Sequence, residues 1–306
     1  MNKQAFTLAF ITVLIWGSTF AAIRASLHGG YTAGHLVLFR YFIASSLFAV
    51  YALWPGVKFK LPLKKDILPL LSLGFVGISI YHIGVTFGEI TVSSGTAGML
   101  IGAAPIFTAI IAVIALKEKL GTFGWIGLGI GFIGILLITI GSSGSGFTLS
   151  PGAILLVMAT VATSIFFVFQ KPFFRRYKPI ELTAYVTWAG TIPFFIFSPG
   201  LFETLQQATL EANLAAIYVG IFPAGVAYVT WSTALSLGNA SSVTSMMYLE
   251  PAVAVFFGWV WLNELPTTLS LIGGAVALLG VITINVLGRR HLMKKYRTAA
   301  YNRNTS

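Results

Sequence analysis

Apolar runs of about twenty residues, separated by short polar connections, recur along the whole chain. A helix rises about 1.5 Å per residue, so crossing the hydrocarbon core of a bilayer takes about 20 mostly apolar residues. On that criterion the pattern predicts ten membrane spans, over 5–25, 33–54, 67–88, 94–116, 121–141, 151–171, 180–198, 212–235, 240–262 and 267–288. The start of span 1, MNKQ and an apolar run followed by Ala21, Ala22 and Ala25, has the outline of a secretory leader. It is read as a retained span because it belongs to an internal repeat.

Shifting the chain by 146 residues aligns LIGAAPIFTAIIAVIALKEKLGT with YLEPAVAVFFGWVWLNELPTT, so that Pro105 meets Pro251, Glu118 meets Glu264 and Thr122 meets Thr268. The same shift, without gaps, pairs Ser18 with Ser164, Phe20 with Phe166, Tyr31 with Tyr177, Gly74 with Gly220 and Gly134 with Gly280. Each copy holds five spans, and an odd number makes the second copy enter the membrane in the opposite sense. The predicted fold class is therefore an all-α integral membrane protein of ten transmembrane helices in two inverted five-helix repeats. The predicted organisation is a first repeat over 1–145, a second over 146–288 and a basic tail over 289–306. Inverted repeats belong to secondary transporters, whose substrate site lies near the midplane between the halves.

Composition strengthens this reading and removes others. The chain is 57% hydrophobic and 9% charged, with a mean hydropathy of +0.88, against about 25% charged residues in soluble domains. With no cysteine, neither disulfides nor thiol chemistry are available. His28, His35, His82 and His291 have no metal-ligand spacing, and no cofactor is expected. The net charge of +11 could suggest a nucleic-acid partner, but its distribution has a topological explanation. With the N-terminus cytoplasmic, seventeen of the nineteen basic residues fall on that side: eleven before the tail, and Arg289, Arg290, Lys294, Lys295, Arg297 and Arg303 within it. The positive-inside rule then places both termini in the cytoplasm of a multi-pass plasma-membrane protein, in a bacterial cell membrane by expectation, with the bilayer and not nucleic acid as its surroundings.

WGSTF in span 1, FRYF around Arg40, APIFTAI followed by KEKL, and LEPAVAV followed by LNEL together resemble the EamA-type transporters of the drug/metabolite transporter superfamily. The resemblance covers both repeats. It implies a ten-helix bundle in which spans 1 to 4 and 6 to 9 surround a central cavity while spans 5 and 10 pack at the periphery. It also implies transport of small metabolites, mostly outward. ATSIF at 162–166 departs from WGSTF, so the roles of Trp16 and Gly17 are not expected to be symmetric.

Ionisable groups inside a membrane are expensive, which makes them candidates for function. Glu250, near the centre of span 9, is a candidate for a substrate ammonium or a proton, or for bonding around Pro251. Arg40 is a candidate clamp for a substrate carboxylate or a member of a fixed ion pair. His82 is a candidate proton relay or packing residue, with Tyr228 at the equivalent position. Trp16, Ser18, Thr19, Tyr81, Trp231 and Tyr248 lie on spans expected to line the cavity, where aromatic groups suit an amphipathic substrate. Pro105 and Pro251 are expected to bend or interrupt spans 4 and 9, and Glu118 and Glu264 to serve as interfacial or gating residues at their ends. Glu89 reads as a charge at the external mouth. GLGIGFIG places Gly129, Gly131 and Gly134 in a GxGxxG pattern, but mid-helix and without a preceding strand, so close helix packing is expected instead of a nucleotide.

The expected function is alternating-access transport, by export, of amino acids or related amphipathic metabolites, with protons as a candidate second substrate. Import, or a nucleotide-sugar-like cargo, is the alternative within the class. A membrane enzyme lacks a converging set of acid, base and nucleophile, and a scaffold lacks docking loops.

Overall fold

The computed structural model describes residues 3–117, 120–142, 150–237 and 245–284. No strand occurs among them, as expected where lipid leaves the backbone no partner outside its own helix. Among the described residues, eight helices are long and apolar enough to cross a membrane: Lys3–His28, Ala33–Leu53, Lys64–Gly88, Ser94–Ala115, Thr122–Gly141, Pro151–Arg175, Pro179–Phe197 and Leu210–Trp231. Two shorter apolar helices, Met246–Leu262 and Thr268–Ile282, occupy the positions of spans 9 and 10. A short helix, Leu201–Gln207, joins spans 7 and 8 on the face opposite the N-terminus.

The 146-residue repeat extends to backbone irregularities. Span 3 contains a π-helical turn at Phe75–Ile80 and span 8 one at Phe222–Val226, and the shift superposes 76–80 on 222–226. Span 4 is broken at Ala103 (φ −82°, ψ 0°) and span 9 at Leu249 (φ −82°, ψ −18°), again equivalent positions. In both, the following helix begins immediately before a proline, Pro105 or Pro251. Proline has no N–H to donate and its ring clashes with the carbonyl four residues back, so the helix restarts there, where an N-terminal proline is tolerated. Both helices end on a left-handed residue, Lys117 (φ 53°) and Asn263 (φ 55°). Of the bend or interruption expected at each proline, both spans show the interruption. Residues 240–244, which the sequence pattern included in span 9, are outside the described segments.

Spans 5 and 10 pack against each other along small residues. A Cβ on Gly134 would lie 2.3 Å from the backbone nitrogen of Ala277, and one on Gly280 would lie 2.5 Å from that of Gly131. Around Gly129 there is no atom within 4 Å of such a Cβ. The GxGxxG glycines therefore provide close helix contact at two positions and open space at the third.

At the N-terminal face, the connection between spans 2 and 3 packs on that between spans 6 and 7. The chain's lone aspartate, Asp66, is buried, pairs with Arg176 at 2.8 Å and accepts a hydrogen bond from the Tyr177 hydroxyl at 2.7 Å. Glu181 accepts from the backbone N–H groups of Lys60 and Lys178. Asp66→Ala would remove the acceptor shared by Arg176 and Tyr177. A loss of about 1–3 kcal/mol is expected, read as a lower melting temperature of detergent-purified protein, with Asp66→Asn losing less because its amide oxygen still accepts from Tyr177.

Candidate substrate cavity

Spans 1, 2, 3, 4, 6, 8 and 9 enclose a central cavity of about 300 Å³. Among the described residues, span 7, which the family resemblance placed around it, contributes no lining residue, and neither do spans 5 and 10. The interruptions build the wall. Gly77 and Ala224 come from the two π-turns, and Gly102, Ala104, Tyr248 and Glu250 flank the two breaks. A π-turn displaces the helix backbone sideways and so re-aims the side chains that follow it.

The wall is two-fold in backbone and asymmetric in chemistry. Under the shift, Phe20 has Phe166 as its equivalent, but His82 has Tyr228, Tyr248 has Gly102 and Glu250 has Ala104. Glu250 is 8% exposed and stands in the first turn of its helix, where the positive end of the helix dipole favours a carboxylate. Arg40 is 2% exposed, and its Nε and Nη1 have no hydrogen-bond partner. Its guanidinium lies 5.4 Å from the Tyr41 ring. Among the described residues no ion pair joins Arg40 to any carboxylate, so the fixed-pair expectation for it is not what the structure contains. The His82 ring sits between Tyr41 and Tyr81, with centroids 4.6 and 4.4 Å away, and neither ring nitrogen is bonded.

Of the other residues singled out in the sequence, Thr19, Tyr81, Tyr228, Tyr248 and Pro105 line the cavity. So does Trp16, whose Nε1 donates to the Pro223 carbonyl in the π-turn of span 8 at 3.2 Å. Ala162, at the equivalent position, cannot make such a bond. Ser18 and Trp231 are placed elsewhere. Ser18 bonds the Tyr218 hydroxyl at 2.6 Å and faces a separate cleft between spans 1, 8 and 9. Trp231 packs behind Trp16, at a centroid distance of 5.4 Å, beside Leu8 and Met246. Each lies on a helix that lines the cavity but on a face turned from it. Pro251 packs against Gly102, where a Cβ would be 2.4 Å from its ring. Glu118 lies outside the described residues.

The cavity is closed toward the face opposite the N-terminus. There the first half of span 4 packs tightly on the second half of span 9: a Cβ on Gly98 would meet that of Ala254 at 2.2 Å. Arg24 binds across this end. Its Nε donates to Glu264 at 3.1 Å, and its Nη1 donates to the carbonyls of Glu89 and Ile90. Glu264 is thereby an ion-pair partner at a closed end, whereas Glu89 is fully buried and not a mouth charge in water. Burial pushes the Glu89 carboxyl well above the usual carboxylate range, against opposing contributions from Arg24 and Arg40. Neither Arg24 nor Glu89 had a signal in the repeat, because Gln170 and Leu235 stand at the equivalent positions.

A duplicated ten-helix bundle around a closed polar-aromatic cavity is the architecture of a secondary transporter. The model of the EamA-like transporter family matches residues 3–140 and again 150–286, and the chain belongs to that family. It is 39% identical over 267 residues to the uncharacterized transporter YdfC of Bacillus subtilis, covering 87% of this chain and 86% of that one. It is 34% identical over 293 residues to a probable terminal-alkyne amino-acid exporter of Streptantibioticus cattleyicolor, covering 95% and 96% of the two chains. A crystal structure of another protein, 20% identical, shares the fold with a TM-score of 0.62 over 95% of this chain and 99% of that one.

Proposed function

We propose that this transporter exports amino acids or closely related amphipathic zwitterions by alternating access, with the N-terminal face in the cytoplasm. The observation that carries the reading is one cavity holding a buried guanidinium, Arg40, and a buried carboxyl, Glu250, that do not pair with each other, between aromatic walls. A zwitterion supplies the missing partner to each: its carboxylate to Arg40, its ammonium to Glu250, and its apolar side chain to Trp16, Tyr81 and Tyr228. The likeness to the amino-acid exporter of Streptantibioticus cattleyicolor supports the cargo and the direction. The excess of basic residues on the N-terminal side supports the orientation.

Detergent-purified protein titrated with a panel of amino acids is expected to gain about 2.7 kcal/mol of stability from a matching apolar amino acid at a hundred times its dissociation constant. The amide and N-acetyl forms of the same compound are expected to give little gain, because each leaves one buried charge unpaired. Stabilisation by a nucleotide sugar and by no amino acid would overturn the reading. Glu250→Gln keeps the shape of the wall and removes its charge. It is expected to weaken the amino acid about tenfold or more while the N-acetyl form binds as well as before or better, since no buried charge is left without a partner. Equal affinity of both proteins for the free amino acid would remove Glu250 from the site.

A further inference from the structure

We infer that Glu89 is the proton-bearing carboxyl that governs the latch on the face opposite the N-terminus, by competing with Glu264 for the guanidinium of Arg24. Two carboxylates and one cation meet at this end of the cavity. Arg24 spends its Nε on Glu264 and its Nη1 on two backbone carbonyls, one of them that of Glu89 itself. The Glu89 side chain is 0% exposed and both of its carboxyl oxygens lack a partner. An ionised carboxylate in that position would have neither water nor a bonded cation, so the latched arrangement requires the neutral acid.

The groups facing Glu89 define the competition. Arg24 on span 1 and Arg40 on span 2 favour its ionised form, and Glu264 beyond the end of span 9 opposes it. Tyr81, one face along span 3, also feels its charge. Span 6 meets the chain beside it with Gly152 and Leu156, which carry none. When Glu89 loses its proton to water, Arg24 gains a second anionic group beside its present bonds. Its hold on Glu264 weakens, and with it the tie between span 1 and the end of span 9. Rising pH therefore opens this face, and protonation closes it. Gln170 and Leu235 stand at the equivalent positions, so the repeat does not duplicate this pair.

The chain has no cysteine, so a single reporter can be introduced. Ser94 is buried where span 4 meets span 9: a Cβ on Gly258 would lie 2.4 Å from its hydroxyl. Purified Ser94→Cys protein is treated with a polar maleimide at pH 6 and pH 8. Each rate is divided by that of Gln206→Cys, an exposed position on the same face, to cancel the thiol's own titration. The normalised rate is expected to rise about fivefold or more with pH. Added Glu89→Gln is expected to hold it at the low value, and added Glu264→Gln at the high value at both pH values. His28, half-exposed and 3.9 Å from Glu264, is another ionisable side chain at this latch. His28→Gln is expected to leave the rise in place. A parent without the rise, or a rise that survives Glu89→Gln, overturns the inference. If Glu89→Gln does not fold, a rise that survives Glu264→Gln overturns it as well. The readout involves no cargo, so it stands or fails separately from the amino-acid assignment.

Discussion

Gly134→Ala is expected to destabilise the protein by about 3 kcal/mol, the upper end of what over-packing costs, while Gly129→Ala, five residues earlier on the same helix, changes nothing measurable. The new methyl at position 134 would be driven to 2.3 Å from the nitrogen and 2.6 Å from the Cα of Ala277. Backbone atoms cannot rotate away as a flexible side chain can, so the whole contact between spans 5 and 10 has to separate. Ser270, Gly273, Ala277 and Gly280 are the buried small residues of span 10, and their close approach to span 5 accounts for most of what holds it. Lipid is as apolar as the helices, so this pair gains little from the hydrophobic effect and depends on close contact. At Gly129 the methyl meets open space, and alanine is the better helix former. Melting temperatures of the two variants in detergent, measured side by side, check both halves of the prediction. Equal melting temperatures would refute the packing account.

The second large effect concerns Arg40, where binding and stability are expected to separate. Arg40→Met retains most of the side chain's length and apolar contact and removes the charge. Loss of a charge-assisted pair with the substrate carboxylate is expected to weaken amino-acid binding about 100-fold, or about 2.7 kcal/mol. The empty protein is expected to melt at the same temperature or higher, because a buried guanidinium with two unbonded nitrogens is a cost that methionine does not carry. A structural arginine would behave in the reverse way, with a fall in melting temperature and intact affinity. Thermal titration of both proteins with the same amino acid reads both quantities at once.

The cavity shows how far residue pattern reaches. Trp16, Thr19, Arg40, Tyr81, His82, Tyr228, Tyr248 and Glu250 were legible as inward groups, since a polar or ionisable residue inside an apolar span has few tolerable places to go. Ser18 and Trp231 satisfy the same description yet face a side cleft and the back of Trp16. The rotation of each helix about its axis is set by its neighbours, and an almost uniformly apolar helix carries little information about it. Glu89 shows the converse: beside a span end it reads as a solvated charge, and only the folding of the 3–4 connection beneath Arg24 buries it.

The sequence by itself determined the number of membrane spans, their inversion between the halves and the interruptions at Pro105 and Pro251. Those follow from hydrophobic length, an odd count per repeat and the missing N–H of proline, all of which are local. The tertiary structure decided which side chains turn into the cavity wall and which end of the cavity is latched. It decided as well that one arginine holds an exposed-side carboxylate while a second carboxyl lies buried beside it. These depend on where side chains from spans 1, 3, 4 and 9 converge, and pairwise distances between helices far apart in the chain are not encoded in the pattern of any one of them.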